Sequence, residues 1–108
     1  MVLLAEDDAD LRASVRDMLT DMGHTVIEAG SHAEAAALAD LPGVSLILSD
    51  LQLGDGSGAS LAAMGLPLVL MTALPAGHPE RDGLAVPVLT KPFAAADLAA
   101  LLTGPHDV

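Results

Sequence analysis

Five polar side chains that could take part in chemistry each follow a short apolar run of the sequence. Glu6 and Asp7 follow the first run, and Asp50 follows a later one. Thr72 and Lys91 come after two further runs. If these runs are strands of one parallel sheet, their carboxyl ends open into a shared crevice. We therefore expect three carboxylates, one hydroxyl and one amine to converge there.

Carboxylates this close together repel one another, so a counter-ion is needed to keep all of them ionised. Asp7 and Asp50 offer the oxygen ligands that suit Mg²⁺, which binds through one or two carboxylates and phosphate oxygens. The Asp50 carboxylate is also a nucleophile that can form an aspartyl phosphate. Lys91, the single lysine of the chain, and the Thr72 hydroxyl would stabilise charge on the phosphoryl oxygens.

Strand and helix patterns alternate along the chain in an order that would position these groups. Apolar runs indicate strands over residues 2–5, 25–29, 44–49, 68–71 and 86–90. Helical spacing and capping patterns predict helices over residues 9–22, 31–41 and 94–102, with a short helix that ends near residue 64. Two prolines and two glycines in residues 75–83 reduce a further helix to a turn or two, or remove it. Pro87 favours the sheet edge for the last strand.

This alternation predicts an α/β fold with a doubly wound, five-stranded parallel sheet and helices on both faces. The third and fourth helices are expected to be shortened. Residues 1–103 are expected to form one domain, and residues 104–108 a short C-terminal tail.

The composition excludes several classes of partner. The 108 residues carry a formal net charge of −11, which rules out a bulk electrostatic grip on nucleic acid or an anionic membrane surface. Phe93 is the single aromatic residue, so base-stacking platforms are excluded too. The chain has no cysteine, which fits the reducing cytoplasm where we expect the protein. The first apolar run is too short for a signal peptide.

Four segments together resemble the response-regulator receiver domain of two-component signalling. They are VLLAEDD at residues 2–8, SDLQLGDGSG at 49–58, MTA at 71–73 and LTKPF at 89–93. Each segment is a weak signal alone, but all four in this order are specific, and the resemblance covers residues 2–102. It implies a flavodoxin-like strand order, 2-1-3-4-5.

The resemblance also implies roles for the acidic residues. Asp50 would be the phosphoacceptor, taking a phosphoryl group from a phosphohistidine on a histidine kinase or histidine phosphotransfer protein. Asp7 would bind Mg²⁺ directly, Glu6 would bind it through water, and the Gln52 backbone carbonyl would supply a further ligand; Mn²⁺ could substitute. Such a domain promotes only its own phosphorylation and dephosphorylation and is not a turnover enzyme.

The same resemblance assigns the switch residues. Thr72 would move toward the phosphoryl oxygen, and Lys91 would be the salt-bridge partner of that oxygen. The Lys91–Pro92 peptide bond would be cis, an isomer that only X–Pro bonds adopt at low cost. Gln52 and Leu74 occupy positions that tune how fast the phosphoryl group is hydrolysed.

The sequence departs from the family pattern at the switch. Val88 stands where an aromatic residue is usual, and Gly54 stands where a proline is usual. The stretches on both sides of Thr72 are short. We expect the phosphorylation chemistry to survive and the usual output face to be altered. These departures favour a phosphorelay role or attachment to a larger signalling protein, such as a hybrid histidine kinase, over a stand-alone regulator.

Three alternatives belong to other classes. A small aspartate-nucleophile phosphatase would use Asp8 and Asp10, but Asp8 lies beyond the strand end and the chain has no room for a cap domain. A nucleotide- or flavin-binding module needs a neutral loop after the first strand, whereas residues 6–8 are acidic and would repel phosphate. A degenerate receiver that only binds other proteins stays open because of Val88. Asp55 and His32 are expected to be solvated surface residues.

Overall fold

A central parallel sheet positions the polar residues at the carboxyl ends of its strands. The computed structural model describes residues 1–81 and 83–103, and its main strands are β1 (Val2–Ala5), β2 (Val26–Ala29), β3 (Leu46–Asp50), β6 (Leu68–Thr72) and β7 (Val88–Thr90). These five strands lie in the order β2-β1-β3-β6-β7. A small antiparallel hairpin of β4 (Gln52–Leu53) and β5 (Gly56–Ser57) follows β3. The predicted order 2-1-3-4-5 is confirmed for the five main strands.

Local capping signals set the helix boundaries. The helices are α1 (Ala9–Asp21), α2 (His32–Leu38), α3 (Ala95–Thr103) and a 3₁₀ helix (Gly58–Met64). The Asp8 side chain accepts hydrogen bonds from two backbone N–H groups in the first turn of α1, and the Ser31 side chain caps α2 by accepting one, from the Glu34 N–H. Gly23 follows α1 with a φ of 94°, as expected of a glycine that ends a helix.

Apolar layers cover both faces of the sheet, as the continuous apolar strands predicted. On one face, Leu4, Leu48 and Met71 pack with side chains of α1 and α3. On the other face, Leu3 and Ile47 pack with side chains of α2 and the 3₁₀ helix. Strand residues point alternately to the two layers, so β1 and β6 are buried from end to end and β3 is buried in its three central residues.

The strand register brings the carboxyl ends of the strands to one edge. Ala5 pairs with Ser49, Asp50 pairs with Met71, and Thr72 pairs with Thr90. The residues that the sequence singled out stand in these pairs or come shortly after them, so they lie close together at the carboxyl ends of the strands: Glu6, Asp7, Asp50, Thr72 and Lys91.

The two connections beside β6 differ from regular helical crossovers. The glycine-rich loop after Asp50 contains the β4–β5 hairpin, which the sequence did not predict, and the third helix is a 3₁₀ helix closed by Gly65 with a φ of 79°. Within residues 73–81 and 83–87 the structure has turns and no helix, so the fourth helix, which was expected to be reduced to a turn or two or to be missing, is absent from these residues. The predicted tail lies outside the described residues. None of the described helices has the length and apolarity needed to span a membrane.

Candidate functional site

Three carboxylates meet at the carboxyl edge of the sheet. Glu6 and Asp7 follow β1, Asp50 ends β3, and one oxygen from each lies within 4.8 Å of the others. Their exposure rises outward: the Glu6 side chain is 1% exposed and that of Asp50 is 13% exposed, while Asp7 is open to solvent. The cluster therefore runs from the protein interior to the surface, and its outer part is accessible to a ligand.

The Lys91 side chain joins two of these carboxylates. Its Nζ donates to Oε1 of Glu6 at 2.8 Å and lies 3.1 Å from Oδ2 of Asp50. The backbone N–H of Lys91 donates to the carbonyl of Thr72 at 2.7 Å, so pairing with β6 fixes the position of the Lys91 backbone. The Lys91–Pro92 peptide bond is cis, as predicted.

Burial and charge pairing set the protonation of this cluster. Burial raises the pKa of the Glu6 carboxyl, and the nearby charge of Asp50 adds to the rise, while the hydrogen bond from Lys91 opposes it. For Lys91, burial disfavours the ammonium form, but the hydrogen bonds to Glu6 and Asp50 outweigh burial and raise the pKa of the amine. The lysine is therefore a stable cation inside an acidic site.

The oxygens that Lys91 leaves open could hold a metal ion. Lys91 contacts one oxygen of Glu6 and one of Asp50, and the second Glu6 oxygen accepts a 3.3 Å hydrogen bond from the Asp8 backbone N–H. Among the described residues, no hydrogen bond or ion pair involves Oδ1 of Asp50. Two carboxylates that face solvent, backed by a third, match the hard oxygen donors that Mg²⁺ prefers together with water. The donor set thus fits a small dication.

A close backbone contact fixes Asp50. Gly58 donates its N–H to the Leu51 carbonyl at 2.8 Å and packs directly on the Asp50 backbone. A Cβ at position 58 would collide with the Asp50 carbonyl oxygen and would lie 2.6 Å from Oγ of Ser49. Only glycine fits there, a constraint that becomes visible once the fold brings residues 50 and 58 together.

Thr72 reaches the same edge without joining the carboxylates. Its side chain is buried, and its hydroxyl accepts a 3.1 Å hydrogen bond from the Leu74 backbone N–H. Val88, at the start of β7, packs against the apolar layer on the α2 face. The structure therefore gives Thr72 a local backbone partner, and the aromatic neighbour usual in the family is replaced by a partly buried valine.

A polar contact connects the β4–β5 hairpin to the β6–β7 connection. Nε2 of Gln52 donates to Oε2 of Glu80 at 2.9 Å. The contact borders a groove of about 380 Å³ whose lining includes Leu51 and Ser57. The side chain of Gln52 is thus engaged beside the site, while a role of its backbone carbonyl as a metal ligand stays a prediction.

Asp55 has a structural role that the sequence did not reveal. Its two carboxylate oxygens accept hydrogen bonds from the backbone N–H groups of His32 at 2.7 Å and Ala33 at 3.1 Å, which lowers the pKa of Asp55. The His32 ring in turn contacts Oγ of Ser60 at 2.6 Å. Asp55 lies on the loop surface, as expected, but it and His32 also join the hairpin region to α2, so the expectation of a freely solvated side chain was wrong for His32.

Comparison with known proteins identifies the family. The model of the response regulator receiver domain matches residues 2–103, and the chain belongs to this family. The transcriptional regulatory protein PdtaR of Mycobacterium tuberculosis is 33% identical over 106 residues, an alignment that covers 90% of this chain and 52% of PdtaR. The chain therefore spans about half the length of the curated relatives that it matches.

Solved receiver structures share the fold. The chemotaxis response regulator CheY4 of Vibrio cholerae superposes with a TM-score of 0.79 at 25% identity and covers 94% of both chains. The receiver domain of sensor histidine kinase PA1611 from Pseudomonas aeruginosa, solved with a magnesium ion in its active-site cleft, gives 0.82 at 24% identity, covering 94% of this chain and 93% of that one. A CheY-like receiver domain protein from Methanospirillum hungatei gives 0.84 at 22% identity, with 98% and 92% covered.

Proposed function

We propose that this receiver domain accepts a phosphoryl group on Asp50, with Mg²⁺, from a phosphohistidine of a histidine kinase or histidine phosphotransfer protein. The observation that carries the proposal is the pairing of Asp50 with Lys91 next to two further carboxylates. Oδ1 of Asp50 has no protein partner among the described residues, so it is available as a nucleophile.

Three side chains would have separate roles in the phosphoryl transfer. The Asp50 oxygen forms a bond to phosphorus while the bond from phosphorus to the imidazole nitrogen breaks, and the imidazole keeps the electron pair of that bond. The Lys91 ammonium stabilises charge on the phosphoryl oxygens. The Thr72 hydroxyl leaves the Leu74 N–H and donates to a phosphoryl oxygen.

The acidic residues would hold the metal. Asp7 and Asp50 would bind it directly, Glu6 through water, and Gln52 through its backbone carbonyl. The bound ion would offset the repulsion between these carboxylates and an incoming phosphoryl group. The presence of Mg²⁺ in the PA1611 receiver structure indicates that the fold is compatible with this ion.

The chain would act as a signalling domain and would not turn over a substrate. Receiver domains of hybrid kinases share its fold, among them that of CckA, and a phosphorelay role or attachment to a larger signalling protein fits the absence of helix in the described part of residues 73–87. We propose that it works in the cytoplasm. We expect no binding to nucleic acid by this domain, since its net charge is −11.

Intact mass spectrometry after incubation with acetyl phosphate tests the proposal. Wild type with Mg²⁺ should gain one phosphoryl group, whereas wild type without Mg²⁺ and Asp50→Asn should gain none. Asp40→Asn, which makes the same change at an exposed aspartate, should behave as wild type. An adduct on Asp50→Asn would point to another nucleophile, and a folded wild type without any adduct would favour a receiver that signals by binding alone.

A further inference from the structure

The Arg12 guanidinium bridges two strands beneath the acidic cluster. Its Nη1 donates to the Glu6 backbone carbonyl at 2.8 Å, and its Nε lies 3.4 Å from Oε1 of Glu28 on β2. The side chain is 24% exposed. A Cβ at Gly30 would lie only 3.1 Å from Nη1 of Arg12, so glycine at this position leaves room for the arginine.

The carbonyl that Arg12 holds belongs to the peptide bond between Glu6 and Asp7. On the other side of Glu6, its backbone N–H donates to the carbonyl of Ala29 at 3.0 Å. The backbone of Glu6 is thus fixed by β2 through its N–H and by Arg12 through its carbonyl. Because this peptide sets the direction of both acidic side chains, its orientation decides how they face a metal ion.

We propose that Arg12 is a positioning residue for the metal site, acting on the Glu6–Asp7 peptide and anchored on Glu28. This inference rests on the proposed function, since it assumes that the acidic cluster binds a dication. Groups that orient metal ligands are worth about 10- to 100-fold in affinity. A role through charge alone predicts the reverse, because removing a cation near the cluster would tighten metal binding.

Arg16 provides a matched control. It lies on the same helix and its Nη1 is 3.5 Å from Oε2 of Glu28, but it makes no contact with Glu6. Arg16→Ala therefore removes an equal charge and an ion pair to the same glutamate. The hydrogen bond to the Glu6 carbonyl is lost only in Arg12→Ala, and the ion pair with the neighbouring Asp17 is lost only in Arg16→Ala.

Titration of Mg²⁺ by calorimetry, and of Mn²⁺ by electron paramagnetic resonance, tests the inference under conditions where circular dichroism shows each variant folded. Arg12→Ala should raise the metal Kd about tenfold, and Arg16→Ala should leave it unchanged. Arg12→Lys should restore part of the affinity, because a single ammonium cannot span both partners. If Arg12→Ala fails to fold, Arg12→Lys and Glu28→Gln test the same bridge, and each should weaken binding.

An unchanged or lower Kd in folded Arg12→Ala would overturn the positioning role, as would equal losses in Arg12→Ala and Arg16→Ala. If Arg12→Ala does not fold, an unchanged metal Kd in both Arg12→Lys and Glu28→Gln would overturn the positioning role. A wild type that binds neither ion contradicts the proposed metal site itself, and the inference falls with it. That result differs from one in which the wild type binds the metal and the Kd does not change when Arg12 is replaced, which contradicts only the role of Arg12.

Discussion

The β1–β2 and β6–β7 connections both join neighbouring parallel strands, yet they are built differently. The first contains α1, whose apolar residues Leu11, Val15 and Leu19 recur at helical spacing and pack on the sheet. The second has only turns in its described residues, and Pro75 and Pro79 interrupt it. One connection is therefore specified locally, and the other depends on contacts made elsewhere.

This difference divides the site. The β1–β2 side fixes Glu6 and Asp7 through strand pairing and Arg12. The β6–β7 side is held by side chains that reach across loops: Nη1 of Arg81 donates to the Leu74 carbonyl at 2.8 Å, and Glu80 accepts from Gln52. The groups that would bind a phosphoryl group thus stand on regular structure, whereas the segment that would respond to it does not.

The largest effect is expected at Lys91, which connects the two sides. Lys91→Met leaves Glu6 buried without a cation, so the free energy of unfolding should fall by about 3 kcal/mol near neutral pH. Urea denaturation followed by circular dichroism measures this loss. The double variant Glu6→Gln/Lys91→Met should recover part of it.

The loss should depend on pH. The folded-state pKa of Glu6 is already raised above its usual 4.5 by burial, and it should rise further without Lys91. A carboxyl with a raised folded pKa contributes stability below its usual pKa and loses that contribution as pH rises through the folded value. The deficit of Lys91→Met should therefore be small near pH 4.5 and grow toward pH 8; a deficit independent of pH would refute this account.

The next largest effect is expected at Gly58, which packs on the backbone of Asp50. Gly58→Ala forces a Cβ against the Asp50 backbone and should destabilise the fold by about 2 kcal/mol. Gly54→Ala is the control, because a Cβ there would lie 3.6 Å from Oδ2 of Asp7, an ordinary contact. Thermal denaturation compares the two, and equal stability would mean that the backbone near Asp50 can shift freely.

A smaller and more local effect is expected at Arg81. Arg81→Ala removes a hydrogen bond to the Leu74 carbonyl, worth about 1 kcal/mol. Hydrogen exchange measured by mass spectrometry should speed up in residues 73–81 and stay unchanged in α1. Faster exchange in both regions would show that the two connections unfold together, contrary to the contrast drawn between them.

The smallest effect is expected at Asp55, which is exposed to solvent. Asp55→Ala should lower stability slightly at neutral pH, because α2 loses two hydrogen bonds at its first turn. The folded pKa of Asp55 lies below its usual 3.8, so its contribution is present above that value and is lost as pH falls through the folded pKa. Urea denaturation should show a larger difference at pH 7 than at pH 3, whereas an equal difference at both would assign it to packing.

The sequence predicted those site residues that directly follow a short apolar strand. Glu6, Asp50 and Lys91 converge as expected because strand order and register follow from local apolar runs. The roles of Asp55 and Gly58 depend on segments that the fold brings together, and no local pattern encodes them. Likewise, the glycine-rich loop predicted a turn but not the hairpin, which needs the pairing of Gln52 with Ser57.

Lys91 is the only lysine of the chain, and its amine lies between Glu6 and Asp50. An amine-reactive acylating reagent therefore has a single side-chain target, and the rate of labelling there reports how firmly these two carboxylates hold their cation. A phosphoryl group or a metal ion that draws the carboxylates away would change that rate. The protein thus carries one reactive side-chain amine inside its acidic cluster, and no substitution is needed to place it there.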